Sequence, residues 1–273
     1  MQTPKEGPAS AGTVNAVSGI RAERAEIEDS TGVSIGLTGQ TAGNIDVSTK
    51  LGEALPSYLA IVVGLSLILL LLVFRSIVVP LLATGGFLLS LAAAFGAVVA
   101  VYQWGWLGAV FGVDNPGAVL SFLPIILIGV LFGLAMDYQM FIASGMRESF
   151  MRGESAKDAV RSGFSHASAV VTAAAIIMVS VFAGFIFSHL NMFRPLGFAM
   201  AFGVLVDAFV VRMTIVPAVT YLLGEKAWWL PRWLDRILPD VDVEGAKLRT
   251  PEHATAAAPD AEPDAEPLEV AAR

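Results

Sequence analysis

Long apolar blocks separated by short polar connections dominate the middle of this chain. A helix needs about 20 apolar residues to cross a hydrocarbon core about 30 Å thick, and each block is about that long or longer. The pattern therefore predicts an all-α polytopic membrane protein with five transmembrane helices. Five very apolar helices buried in a soluble fold are a weaker alternative, because so many blocks occur in one short chain. The predicted helices lie at about residues 57–74, 77–102, 118–145, 166–188 and 195–222.

The polar stretch before the first block has a mixed pattern. Residues 15–32 predict a short amphipathic helix, and "VSIGLTG" at 33–39 alternates as a strand does. A second helical pattern then leads towards the first apolar block. Because these elements are too few to bury a core alone, residues 15–55 are interpreted as the remnant of an α/β extracytoplasmic, porter-like domain. Residues 1–14 are predicted to form a flexible N-terminus.

The predicted transmembrane domain covers residues 56–223, and two further segments follow it. Residues 224–249 include "WWLPRWLDRIL", in which tryptophans alternate with arginines, so this segment is predicted to lie at the cytosolic membrane interface. Residues 250–273 are rich in proline, alanine and acidic residues and are predicted to be disordered.

The composition narrows the possible chemistry. Hydrophobic residues make up 55% of the chain and charged residues only 15%, where soluble domains carry about 25% charged residues. The absence of cysteine excludes disulfides and thiolate metal sites. The three histidines are far apart in the sequence, so neither a metal site nor a cofactor is expected. The net charge of −7 arises largely in the two polar ends, and no nucleic-acid partner is expected.

The distribution of lysine and arginine predicts the orientation in the membrane. Positive charges concentrate after the third block and after the fifth, whereas residues 103–117 carry none. Because cytosolic connections carry the excess of lysine and arginine, the N-terminus is predicted to lie outside and the C-terminus in the cytosol. The charges after the third block are Arg147, Arg152, Lys157 and Arg161, and those after the fifth are Lys226, Arg232, Arg236, Lys247 and Arg249.

This orientation requires a polar N-terminal segment to be exported. Residues 1–56 contain no apolar signal segment that would bring them across the membrane. The expectation is therefore that the chain is the back part of a longer membrane protein, through a split or a truncated gene.

An aspartate interrupts the third apolar block in "GLAMDYQMF". Asp137 precedes Arg147 by ten residues, about 15 Å along a helix, which places it near the middle of the membrane. Gly129, Gly133 and Asp137 are spaced by four and share one helix face, on which the two glycines form a GxxxG motif for close helix packing. Asp137 is therefore expected to point into a helix–helix contact, and Tyr138 can offer its hydroxyl to a neighbouring helix. The alternative role for Asp137 is structural, as a hydrogen-bonded link between helices.

A second acid, Asp207, lies in the fifth block. Arg212 follows it by five residues, about 140° round an α-helix, so the two are not expected to form a good same-helix pair. Arg212 is expected to meet the cytosolic interface or another helix. Asp207 and Arg212 are therefore a possible additional buried polar site whose role, structural or functional, stays open.

Four stretches of the chain carry a family resemblance. They are "VFRSIVVPLL" at 73–82, "LFGLAMDYQMFIASGMRE" at 131–148, "VDAFVVRMTIVPA" at 206–218 and "LLGEKAWWLPRWLDR" at 222–236. Over roughly residues 15–240 the chain resembles the C-terminal part of the MMPL family of transporters, within the resistance–nodulation–division (RND) superfamily.

The resemblance implies a bacterial plasma-membrane transporter driven by the proton-motive force, with protons as the coupling ion and no other cofactor. Such transporters have twelve membrane helices in two similar halves and move lipids or other hydrophobic compounds. Asp137 and Tyr138 would form the proton relay with a facing Asp-Tyr pair from the first half. This chain lacks the first half and the seventh helix, so an N-terminal half or a homo-oligomer is expected as its partner, with membrane lipids around it.

Two alternatives to a transporter stay open at this point. The first is a non-transporting membrane module or the inactive product of a truncated gene, because one half is missing. The second is an intramembrane aspartyl protease that uses Asp137 and Asp207. It is disfavoured because neither site has the Gly-x-Gly-Asp motif characteristic of those enzymes, and the chain is not expected to be an enzyme.

Overall fold

The computed structural model describes residues 11–113, 117, 119–190 and 193–238. Helices dominate this part of the chain, and no strand occurs in it. The helices are α1 Ala11–Ala22, α2 Arg24–Thr31, α3 Gln40–Phe74, α4 Val78–Val98, α5 Gly108–Phe111, α6 Leu123–Met151, α7 Ala156–Ile186, α8 Arg194–Leu205, α9 Val216–Leu223 and α10 Arg232–Ile237. Val99–Gln103 and Val206–Ile215 are π-helical, and Gly224–Trp228 is a 3-10 turn.

Five of these helical stretches are long and apolar enough to cross a membrane, which confirms the predicted all-α polytopic fold. Each contains or overlaps one of the apolar blocks. The first span is longer than its block, because α3 continues through Pro56 into the polar sequence before it. The five spans are Gln40–Phe74, Val78–Gln103, Leu123–Met151, Ala167–Ile186 and Arg194–Trp228.

The predicted strand at residues 33–39 is wrong. These residues form an irregular connection, and the backbone N–H of Ile35 donates to Glu28 Oε1 at 2.8 Å. The described part of the chain holds no partner strand, and a strand without a partner leaves its ladder hydrogen bonds unmade. An α/β remnant is therefore not found in residues 11–39, which hold two short helices and this connection.

The two polar ends fall mostly outside the described residues. Helix α1 begins at Ala11, so the last four residues of the predicted flexible segment 1–14 are helical. Residues 1–10 lie outside the described ranges. So do residues 239–249 of the predicted interfacial segment and the whole of the 250–273 tail.

Helix α6 lies at the centre of the bundle. Leu127, Ile128 and Leu131 are almost fully buried in a core that they share with α4, α7 and α8. A side chain at Gly203 of α8 would come within 2.7 Å of Leu131, which shows how closely these helices pack. Burying a leucine or isoleucine side chain stabilises by about 1.5–3 kcal/mol, so this core fixes the orientation of α6.

Helices α3 and α7 lie at the periphery of the bundle. Ile61 and Leu65 on α3 are 67% and 62% exposed, and Ile177 on α7 is 61% exposed. Exposed apolar side chains in such numbers suit contact with lipid tails rather than water.

The segment that follows α9 packs against the start of α4. Ser76 Oγ donates to the carbonyl of Ala227 at 2.6 Å, and Arg75 pairs with Asp235 of α10 at 2.6 Å. The Trp228 ring stacks on Phe150 of α6 with 5.6 Å between ring centroids. These contacts attach the predicted interfacial segment to the connection between the first two spans.

Candidate functional site

Helix α6 carries Asp137 and Tyr138 on different faces. Tyr138 is buried, only 6% exposed, in the core of the bundle. Asp137 is exposed, and it makes no hydrogen bond or ion pair with the described residues. The tyrosine hydroxyl interacts electrostatically with both Asp137 and Asp207, so it lies within reach of the fields of both carboxylates.

The Gly129–Gly133–Asp137 face of α6, here called the glycine stripe, is approached by α3 at Gly129 and is open at Gly133. All three residues are exposed. A side chain at Gly129 would come within 3.1 Å of Tyr58 Oη on α3, but one at Gly133 would meet no described atom within 4 Å. The described chain therefore does not form the expected close helix contact at Gly133. That contact stays a prediction for a surface supplied from elsewhere.

The closest glycine contact of α6 is at another position. A side chain at Gly163 of α7 would collide with the backbone nitrogen of Met146 and come within 2.6 Å of the carbonyl carbon of Gly145. Helices α6 and α7 thus cross with their backbones nearly touching, as small residues permit. We therefore expect Gly133→Leu to be tolerated in this chain by itself, because a side chain at Gly133 meets no described atom within 4 Å.

Asp207 and Arg212 form a buried ion pair, so the prediction that they do not pair is wrong. Arg212 Nε lies 3.4 Å from Asp207 Oδ2, and the two residues are 0% and 3% exposed. The helical-wheel argument assumed α-helical geometry, whereas Val206–Ile215 is π-helical. Hydrogen bonds in a π-helix join residues five apart, which brings Asp207 and Arg212 to the same side.

Two uncharged side chains complete this buried cluster. Ser90 Oγ on α4 donates to Asp207 Oδ1 at 3.0 Å, and Arg212 Nη1 donates to Gln139 Oε1 on α6. Ser90 and Gln139 are 1% and 0% exposed. Sequence reasoning missed both residues. The signal was present, because each is a polar residue inside an apolar run, where its hydrogen bonds must be satisfied within the protein.

The buried cluster contains donors that are not used. Tyr138 Oη, Gln139 Nε2 and Arg212 Nη2 are buried and have no hydrogen-bond partner among the described residues. All three atoms can donate a hydrogen bond. Buried polar groups normally have partners, so these three donors are exceptional groups within the bundle.

The two acids of the apolar spans therefore have opposite environments. Asp207 has a buried counter-charge and a hydroxyl donor, and its charge is cancelled locally by Arg212. Asp137 has neither in the described part of the chain. Of these two, Asp137 is therefore the acid that has no polar partner among the described residues. A two-aspartate hydrolytic site is not favoured, because both oxygens of Asp207 are engaged. No group of metal-ligating side chains occurs among the residues described.

Comparisons with known proteins identify the family of this chain. The chain is 46% identical over 245 residues to "Membrane protein YdfJ" of Bacillus subtilis, a match that covers 90% of this chain and 33% of the relative. It is 38% identical over 223 residues to "Mycolic acid-containing lipids exporter MmpL11" of Mycolicibacterium smegmatis, covering 81% and 23%. It is 34% identical over 237 residues to "Heme uptake protein MmpL11" of Mycobacterium tuberculosis H37Rv, covering 87% and 24%.

This chain spans a third or less of the length of these relatives. Their names describe a membrane protein, a lipid exporter and a heme uptake protein. The model of the MMPL family matches residues 3–239, which include all five spans, the exposed Asp137 and the buried Asp207. By this match the chain belongs to the MMPL family.

Proposed function

We propose that this chain forms the C-terminal five-helix part of a transporter driven by the proton-motive force. Its cargo would be a lipid or another hydrophobic compound. Asp137 carries the proton and exchanges it with a facing group that the rest of the transporter supplies, and Tyr138 contributes its buried hydroxyl to the relay from the neighbouring face of α6.

The observation that carries this proposal is the exposed, uncompensated Asp137 on the glycine stripe. It lies about 15 Å along α6 from Arg147, near the middle of the hydrocarbon core. A charged carboxylate there costs several kcal/mol, so it must be protonated or covered. The glycines beside it keep side chains out of the way and allow another helix to approach. Such a position combines a proton-binding group with a surface that can move.

Tyr138 supports a relay because its hydroxyl lies near both acids of the spans. Its hydroxyl is buried, has no hydrogen-bond partner among the described residues, and interacts electrostatically with Asp137 and Asp207. The hydroxyl can both donate and accept a hydrogen bond, which a proton relay requires. The Asp207–Arg212 pair would serve as fixed scaffolding, because its charges are already matched.

The rest of the transporter would complete the relay against the glycine stripe. It can belong to another chain or to a longer form of this one. The proposed orientation places the N-terminus outside and the C-terminus in the cytosol, as the lysines and arginines predict. The relatives named for mycolic acid-containing lipids and for heme suggest a large apolar cargo rather than a small polar one.

The test is proton-driven flux through the complete transporter in sealed vesicles. Asp137→Asn should abolish flux, since the amide keeps the shape of the side chain but cannot exchange a proton. Asp137→Glu should keep part of the flux, because it retains a carboxyl on the same face. Tyr138→Phe should weaken it by removing one hydroxyl.

Ser144→Ala is a matched control on the same helix, since Ser144 Oγ donates only to its own helix at Met140 and Phe141. It should leave flux unchanged. Undiminished flux in the folded Asp137→Asn variant would reject the proton-carrier role. Transport of cargo in vesicles without a proton gradient would reject the proposal that the proton-motive force drives transport.

A further inference from the structure

An apolar groove lies between the start of α7 and α9. It has a volume of about 410 Å³, and Val160, Phe164, Pro217, Ala218 and Leu222 form most of its lining. Leu222 is 81% exposed, so the groove opens to the surface that faces lipid. Its lining suits an acyl chain, since nearly all of that lining is hydrocarbon.

Two cations lie at one edge of this groove. Lys157 Nζ and Arg161 Cζ lie 5.3 Å and 5.9 Å from the centre of the Tyr221 ring, and Arg161 and Tyr221 also line the groove. Lys157 and Arg161 are exposed, are four residues apart on α7 and bear the same charge, an arrangement that destabilises a helix unless an anion lies between them. The aromatic ring offsets part of this repulsion through its electron-rich face.

The acids near these cations are engaged elsewhere. Asp158 accepts from Ser155 Oγ at 2.6 Å at the start of α7, and Glu154 accepts from Ser162 Oγ at 2.7 Å. Among the residues that the structure describes, no carboxylate is within ion-pair distance of Lys157 or Arg161. The edge of the groove therefore has a positive charge that an external anion can meet.

The depth of the groove matches a membrane interface. The apolar block of α7 begins at about residue 166, so Arg161 and Lys157 precede it by about five and nine residues, on the side of the α6–α7 connection. A phospholipid has its phosphate at that depth, and its acyl chains begin immediately on the side of the hydrocarbon core. Basic pockets between transmembrane helices are known to suit anionic lipid headgroups.

We propose that this groove binds an anionic phospholipid of the adjacent leaflet. The phosphate lies between Lys157 and Arg161, and one acyl chain follows the lining past Phe164 and Pro217 towards the hydrocarbon core. Charge complementarity selects the headgroup, and the apolar lining distinguishes a lipid from free phosphate. This site is separate from the proton relay, so its occupation is measured without transport.

The test compares binding of phosphatidylglycerol and phosphatidylcholine with identical acyl chains to the purified membrane protein by native mass spectrometry. Phosphatidylglycerol should bind preferentially. Lys157→Gln with Arg161→Gln should weaken that binding about thirty-fold, taking each interfacial cation at its usual contribution. Arg232→Gln with Arg236→Gln is the matched control, because it removes two exposed cations four apart on α10 and should have little effect.

A second variant tests the groove itself. Ala218→Trp fills the apolar lining without changing any charge and should also weaken phosphatidylglycerol binding, while inorganic phosphate should bind to neither protein. Equal binding of both lipids, or equal losses in the α7 and α10 double variants, would overturn the proposal. So would undiminished lipid binding by Ala218→Trp, or occupation of the groove by a second copy of the protein.

Discussion

Breaking the buried Asp207–Arg212 pair should destabilise the bundle strongly. The two side chains are 3% and 0% exposed, so removal of one partner leaves an uncompensated charge in the interior. Such a loss typically costs about 3–5 kcal/mol. Arg212→Met keeps an unbranched apolar side chain but removes the guanidinium and its charge, leaving Asp207 with Ser90 alone. Asp207→Asn keeps the shape of the acid and leaves the guanidinium without its counter-charge instead.

The double variant distinguishes this reasoning from a general loss of packing. With both charges gone, it should be more stable than the sum of the single effects predicts, by about 2–3 kcal/mol. Stability is measured as the free energy of unfolding in mixed detergent micelles as the fraction of denaturing detergent rises. The same cycle on Arg75 and Asp235 is the control, because their separation is only 2.6 Å but their side chains are 23% and 56% exposed.

Exposed pairs contribute about 0–1 kcal/mol, so the control cycle should show weak coupling despite its shorter distance. Additive effects of Asp207→Asn and Arg212→Met would refute the buried pair. Single variants within about 0.5 kcal/mol of the parent would refute the desolvation argument.

The remaining predictions concern packing and orientation. Gly163→Ala should destabilise the bundle by about 1–3 kcal/mol, because the added methyl group meets the backbone of α6, whereas Gly133→Ala should cost nothing measurable in the same unfolding assay. Equal stability of the two variants would contradict the close α6–α7 crossing. For orientation, a membrane-impermeant thiol reagent should label Val110→Cys but not Ser155→Cys from outside, in a chain with no other cysteine. Labelling of Ser155→Cys but not of Val110→Cys would show that the chain has the opposite orientation.

The spans were predictable because their signal does not depend on neighbours. A run of about 20 apolar residues has one stable solution in a membrane, a helix, whatever packs beside it. The conformation of residues 33–39 was not predictable in the same way. Their alternating pattern needs a partner strand, and the described chain offers none, so local pattern and tertiary context disagreed.

The side-chain pairings were harder to predict than the helices. The wheel that separated Asp207 from Arg212 assumed about 100° per residue, and nothing in "VDAFVVRMTI" shows that the backbone there is π-helical. The glycine motif had the same limitation. Spacing identifies a small-residue face at Gly129 and Gly133, but the rotation of two helices decides whether that face meets a neighbour. Gly163 meets one within this chain.

The length of helix α3 has a mechanical consequence. Its 35 residues form a rod about 52 Å long, so about 20 Å extends beyond a 30 Å hydrocarbon core. A tilt of about 10° inside the membrane would shift the far end by roughly 4 Å, which makes α3 a lever arm. Pro56 lies where the polar part of the rod meets the apolar part, and it lacks the N–H that would bond to Gly52. The bending stiffness of α3 at Pro56 decides whether a tilt of its apolar part also moves its polar part outside the membrane.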